Sequence, residues 1–209
     1  MSGVGRKMDV CGVILAGGRS SRMGERKELL PWRGETLIGW LAKNIRAAGM
    51  PCLIVSNEPV LLPGEVTELP EVEVVNDLIP SHGPISGIVT AFRVRREEAL
   101  LVLSCDLPFA EREQLLRLRG YGMQTGGWDA LIAQSDGRLQ PLFALYHRRT
   151  QAVWEEAFLR GEHRLMAALD RMRVEPTPEG LLDRWATYNA NTPQEFAAAL
   201  EEAKKRGYG

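Results

Sequence analysis

The chain is 209 residues long and has no apolar run long enough to cross a bilayer, which takes about 18 residues. Residues 1–8 carry Arg6 and Lys7 but no apolar stretch of leader length. Neither secretion nor membrane insertion is expected, and a cytoplasmic location is. Cysteine is scarce: Cys11, Cys52 and Cys105 form no C-x-x-C pair, so a disulfide framework and a zinc site are both excluded. Each lies in or beside an apolar run and reads as a buried, reduced thiol. With only three histidines, little is available to build a Cys–His or Ser–His nucleophile. Charge is balanced, with 26 Lys plus Arg against 27 Asp plus Glu and a net charge of −1. That denies the chain the overall positive field of a nucleic-acid coat protein. The five tryptophans are scattered, at positions 32, 40, 128, 154 and 185, and read as core or rim packing. Internal repeats and long linkers are also missing.

What is present has an α/β rhythm. Four apolar runs, Val10–Ala16, Cys52–Val55, Val72–Val75 and Ala99–Ser104, do not alternate with polar residues. Such runs suit strands covered on both faces, as in a parallel sheet. Helical spacing separates them: Leu37, Leu41 and Ile45 in the first gap, then Ile85, Ile88, Val89 and Phe92 behind Pro84. A shorter helix is expected at Leu115–Leu118. Asp136-Gly137 then predicts a hairpin turn between Ala130–Ala133 and Leu139–Tyr146, with Pro141 marking an edge or a bulge. Helices follow over Arg148–Leu159 and Leu165–Leu169. Met172–Gly180, with two prolines, reads as a surface connection. Thr192-Pro193-Gln194-Glu195 is a capping box opening a last helix with Phe196, Leu200 and Ala203 on one face. The expectation is a three-layer α/β/α open, mostly parallel sheet with an antiparallel hairpin in the C-terminal third. Residues 1–8 would be a flexible N-terminus, residues 9–204 one domain and residues 205–209 a tail.

The chemistry points to the segment after the first strand, Leu15-Ala16-Gly17-Gly18-Arg19-Ser20-Ser21-Arg22-Met23-Gly24-Glu25-Arg26-Lys27. Open α/β sheets bind ligands at the carboxyl ends of their strands. Glycines there bring backbone N–H groups close to phosphate oxygens. Arg19, Arg22, Arg26 and Lys27 concentrate positive charge suited to a polyanion. The spacing fits neither G-x-G-x-x-G nor a P-loop.

This segment resembles the L-x-G-G-x-x-x-R-M-G-x-x-K signature of nucleotidyltransferases with the glycosyltransferase-A-like fold. Further segments are similar to the molybdenum cofactor guanylyltransferases in particular: Asn76-Asp77, Gly83-Pro84-Ile85-Ser86-Gly87, Cys105-Asp106-Leu107-Pro108-Phe109, Gln140-Pro141-Leu142, Gly161-Glu162-His163-Arg164 and Asn189-Ala190-Asn191-Thr192-Pro193. The resemblance spans roughly residues 9–203. It implies transfer of GMP from GTP to the terminal phosphate of molybdopterin, with loss of pyrophosphate and with Mg²⁺ as cofactor. Transient contacts with other molybdenum cofactor biosynthesis proteins would follow. It also implies a nucleotide-binding half (residues 9–110) and an acceptor-binding part (residues 111–204).

On that footing Arg22, Lys27 and Asp106 are the catalytic candidates. Arg22 and Lys27 would neutralise phosphates. Asp106, at the carboxyl end of the fourth run, would hold the metal or else cap a helix. Leu15, Ala16, Gly17, Gly18, Asp77, Gly83 and Gly87 are nucleotide-site candidates, although Asp77 also suits a turn. Ser56 and Asn57, which end the second strand, are both nucleotide-site candidates as well. Gln140, Arg164, Asn189 and Asn191 are implied on the acceptor side. Their alternatives are an exposed hairpin residue for Gln140, a solvated helix face for Arg164 and loop chemistry for the two asparagines. A related transferase using CTP, or a sugar-phosphate or alcohol-phosphate acceptor, shares the first loop. A non-catalytic nucleotide-binding adaptor is the reading from another class.

Overall fold

The computed structural model describes residues 8–17, 26–79 and 83–207. In chain order its elements are β1 (Val10–Ala16), β2 (Pro31–Trp32), β3 (Glu35–Thr36), α1 (Leu37–Ala47), β4 (Cys52–Ser56), α2 (Gly64–Thr67), β5 (Val72–Asn76), α3 (Pro84–Val94), β6 (Ala99–Ser104), α4 (Arg112–Thr125), β7 (Ala130–Ser135), β8 (Arg138–His147), α5 (Gln151–Leu159), α6 (Leu165–Leu169), β9 (Val174–Pro176) and α7 (Pro193–Lys205). No helix among the described residues is long and apolar enough to cross a membrane.

Every residue of β1 is buried because the strand sits inside a seven-stranded sheet of order β5-β4-β1-β6-β8-β7-β9. β4, β1 and β6 run parallel in register, with Gly12 beside both Cys52 and Leu101. Only β8 opposes the common direction, pairing antiparallel with β6 and with β7. The unbroken apolar runs conceal a period of two. Cys11, Val13 and Leu15 join the core beneath α3 and α5 with Val89, Phe92 and Trp154. Val10, Ile14 and Ala16 join the opposite core with Leu41, Ile45 and Leu115. The result is the expected three-layer arrangement.

A third, smaller apolar cluster joins distant parts of the chain. Trp32, Leu37, Phe109 and Phe196 pack together with Ala190 and Ala199. The Trp32 and Phe109 rings meet edge to face at 5.3 Å, and Trp185 lies 5.4 Å from Phe109. Four of the dispersed aromatic residues thereby fasten α7 and the loop before it beside the end of β6.

Several elements depart from the sequence reading, and β2, β3 and α2 have no counterpart in it. α4 has 14 residues rather than a short turn or two, because Gly120, Gly122 and many charges dilute its apolar signal. β9 is a strand where a surface connection is expected. It holds three residues, pairs only with β7 and carries Pro176 at the sheet edge, where a missing N–H costs no ladder bond. α7 runs through Lys205, one residue into the expected tail. The 136–137 hairpin is as expected, with both turn residues in the left-handed region (φ 49° and 70°). Pro141 marks a bulge rather than an edge. Pairing jumps from Ile132 opposite Ala144 to Ala133 opposite Gln140.

α1 lies so close to β1 that a Cβ on Gly12 would come within 2.4 Å of Ile45 Cγ2. Gly12→Ala should therefore destabilise the fold by about 1–3 kcal/mol, the usual cost of overpacking. Urea unfolding measures this, and an unchanged midpoint would contradict the packing. In an Ile45→Ala background the two losses should be less than additive.

Candidate active site

The four parallel strands β5, β4, β1 and β6 end on the same side of the sheet, and register aligns their last residues. Ala16 is opposite Ser56, Ser56 opposite Asn76 and Leu15 opposite Ser104. A cavity of about 500 Å³ opens over these ends. Leu15, Gly17, Asn57, Asp77, Gly83 and Gly87, all sequence candidates, line it. Val55, Pro84, Ser104 and Leu142 line it too and were missed. Ser104 could have been found as the strand-end neighbour of Leu15. Leu142 is brought there by the bulge at Pro141, and bulges leave no reliable mark in a single sequence.

Each wall has a local cause. A Cβ on Gly17 would sit 2.8 Å from Asn57 Nδ2, so the glycine makes room for the asparagine. Asn57 Oδ1 is buried with no hydrogen-bond partner among the described residues. An orphaned buried acceptor inside a cavity is costly and suits a ligand donor. Asp77 Oδ1 accepts from the Ser86 hydroxyl and from Thr90 Oγ1 (3.0 Å). Asp77 thus fastens the first turns of α3 against the end of β5 while lining the cavity. Gly83 caps α3 at φ 78°, and a Cβ on Gly87 would crowd Leu15 at 2.9 Å.

Ser56 requires a correction. It is fully buried and absent from the cavity wall; its Oγ accepts the Glu58 N–H at 3.1 Å. Its carbonyl accepts the Asp77 N–H at 3.0 Å. Alternation along β4 points Ser56 inward and leaves Asn57 for the ligand side. Ala16 is likewise buried and absent from the cavity wall. Gly18, Arg19 and Arg22 lie outside the described residues. Arg26 is committed to an ion pair with Glu28.

Lys27 meets Asp106, two residues beyond the cavity-lining Ser104. Lys27 Nζ lies 3.4 Å from Asp106 Oδ2 and donates to Asn191 Oδ1 at 2.7 Å. Asp106 does not cap a helix: α4 begins at Arg112 and its N-cap is Glu111. Its carbonyl accepts the Ala190 N–H at 2.9 Å. Its Oδ1 is buried and unpartnered among the described residues. No group of three or more His, Cys, Asp or Glu side chains able to hold a metal occurs among the described residues. A single buried carboxylate oxygen fits a hard divalent ion that keeps waters and takes its other oxygens from substrate.

The remaining acceptor-side candidates disperse. Asn189 Nδ2 donates locally to the Thr187 carbonyl. Gln140 is half-buried at the bulge. The Arg164 side chain is largely exposed, 3.5 Å from Glu162. It lines a separate hollow with His163, Arg160 and Arg171. Gly83 of the first hollow and His163 of the second are neighbours, since a Cβ on Gly83 would lie 4.0 Å from His163 Nδ1. The cysteines take no part: all three are unpaired and buried. Burial raises the Cys105 thiol far above its ordinary range, with Asp106 adding to the effect, so a thiolate nucleophile is disfavoured.

The MobA-like NTP transferase domain family matches residues 12–175. A probable molybdenum cofactor guanylyltransferase of Bacillus licheniformis is 36% identical over 164 residues, covering 78% of this chain and 80% of the relative. A probable molybdenum cofactor guanylyltransferase of Carboxydothermus hydrogenoformans is 31% identical over 90% of this chain and 93% of its own length. Among solved structures, the molybdopterin-guanine dinucleotide biosynthesis protein A of Archaeoglobus fulgidus superposes with a TM-score of 0.77 at 28% identity. That match covers 93% of this chain and 98% of the other. The chain therefore belongs to the MobA-like NTP transferase domain family and stands within it among the molybdenum cofactor guanylyltransferases.

Proposed function

We propose that this protein transfers GMP from GTP to the terminal phosphate of molybdopterin, releasing pyrophosphate and forming molybdopterin guanine dinucleotide. The observation that carries the reading is the meeting of Lys27 and Asp106. They are 79 residues apart in sequence and 3.4 Å apart in space, with the second carboxylate oxygen buried and unpartnered. The relatives' names supply the substrates.

An oxygen of the acceptor phosphate attacks the α-phosphorus of GTP, and the bond from that phosphorus to the bridging oxygen of the β-phosphate breaks. The nucleophile is already ionised at neutral pH, so no strong base is required. The obstacle is bringing polyanions together in line, which the protein meets by positioning and charge neutralisation. The cavity over the four strand ends is the place for the nucleoside, with Asn57 Oδ1 offered to a donor on it. Lys27 faces the triphosphate, and by the loop pattern Arg22 and the backbone of Ala16–Gly18 share that task. Asp106 Oδ1 would hold the divalent ion, Mg²⁺ on this oxygen-only chemistry, and the ion would supply Lewis-acid stabilisation of phosphate charge. Asn189, Asn191, Gln140 and Arg164, from the C-terminal half, are the acceptor-side residues of this reading. In domain terms residues 9–110 serve the nucleotide and residues 111–204 the acceptor.

Lys27→Ala should lower kcat/KM by about 10²–10³, the scale for losing one preorganised donor, in a pyrophosphate-release assay. Turnover within about fivefold of the unmodified protein would remove Lys27 from the reaction. Asp106→Asn keeps the shape but not the charge. It should fold normally and lose its response to added Mg²⁺, whereas an unchanged metal titration would refute the ligand role. With Mg²⁺ present, GTP should raise Tm more than CTP or UTP does. A larger shift with CTP would favour the cytidylyl alternative, and binding without pyrophosphate release would favour a non-catalytic role.

A further inference from the structure

We infer that Glu195 is a positioning residue that sets Lys27 through Asn191, an inference resting on the reading of Lys27 as a triphosphate contact. Glu195 is the third residue of α7 behind the cap Thr192, whose Oγ1 accepts the Glu195 N–H at 3.2 Å. In an ordinary capping box the carboxylate at this position turns back to the N–H of the cap residue itself. Here Glu195 Oε2 reaches one residue further and accepts the N–H of Asn191 at 2.9 Å. The same oxygen accepts the Thr192 hydroxyl at 3.1 Å.

That one-residue displacement has a consequence at the site. Holding the Asn191 peptide fixes the origin of the side chain whose Oδ1 accepts from Lys27 Nζ at 2.7 Å. The neighbouring peptide is held as well, by the bond from Ala190 N–H to the Asp106 carbonyl. Tyr188 donates to the Glu195 carbonyl at 3.1 Å, closing the loop onto the helix. A half-buried carboxylate at a helix start thus governs an ammonium that serves the phosphates. A cap acting only on its own helix would need none of the Asn191 contact.

Two readouts test the inference, and one needs no substrate. The chain has five lysines, Lys7, Lys27, Lys43, Lys204 and Lys205, so acetic anhydride labelling resolved by mass spectrometry reports on Lys27 individually. Lys43, half-exposed on α1, serves as the internal standard for reagent dose. Glu195→Ala should raise Lys27 labelling about fivefold, the ratio carried by one lost hydrogen bond, with Lys43 unchanged. Glu195→Gln keeps an acceptor oxygen and should restore the protected rate. In the transfer assay Glu195→Ala should cost about tenfold in kcat/KM, with no further loss in an Asn191→Ala background. Unchanged Lys27 labelling in Glu195→Ala, or Lys27 and Lys43 rising together, would overturn the inference, as would fully additive losses. A wild-type protein that transfers nothing would sink the functional reading instead, and the labelling would still decide the role of Glu195.

Discussion

One ammonium group held between a carboxylate and an amide organises this protein. Lys27 reaches Asp106 Oδ2 and Asn191 Oδ1 at the same time, joining the segment after β1, the end of β6 and the loop before α7. An ion pair withdrawn from water is weak testimony for stability, because desolvation offsets the attraction. Its value is directional. It brings the cation and the carboxylate to one point while Asp106 Oδ1 stays buried with no partner among the described residues. Such an acceptor is costly in isolation and useful when a divalent ion or a phosphate-bound water arrives.

The rest of the architecture keeps that point rigid. Parallel pairing lines up the ends of β5, β4, β1 and β6, and α1 and α3 approach the sheet closely over Gly12 and Gly87. The aromatic cluster of Trp32, Phe109, Trp185 and Phe196 binds the C-terminal segment to the core, so the Asn189–Asn191 loop is seated rather than loose. A charge-neutralising site depends on such preorganisation, since groups that must rearrange during reaction stabilise charge less.

How much of this was legible in the sequence depended on the kind of signal. β1 and β6 could be delimited to the residue because strands buried on both faces are unbroken apolar runs. The Asp136-Gly137 turn and the Thr192 cap are short-range chemistry and were equally plain. β9 was hidden because three residues with a charge and a proline carry no periodicity. Leu15, Gly17, Asn57, Asp77, Gly83 and Gly87, which line the cavity, were candidates through a family pattern and through their places at strand ends. Choosing Asn57 over Ser56 required the pleat of β4, and Leu142 required a bulge. The Lys27–Asn191 bond spans 164 residues, and composition and spacing have no means of showing it.

The most direct test is the structure of a complex with a non-hydrolysable GTP analogue and Mn²⁺, located by its anomalous scattering. A single triphosphate shared by both groups places the metal peak on Asp106 Oδ1 and a phosphate oxygen within hydrogen-bond distance of Lys27 Nζ. A metal peak away from Asp106, or phosphates seated beyond the reach of Lys27, would contradict it.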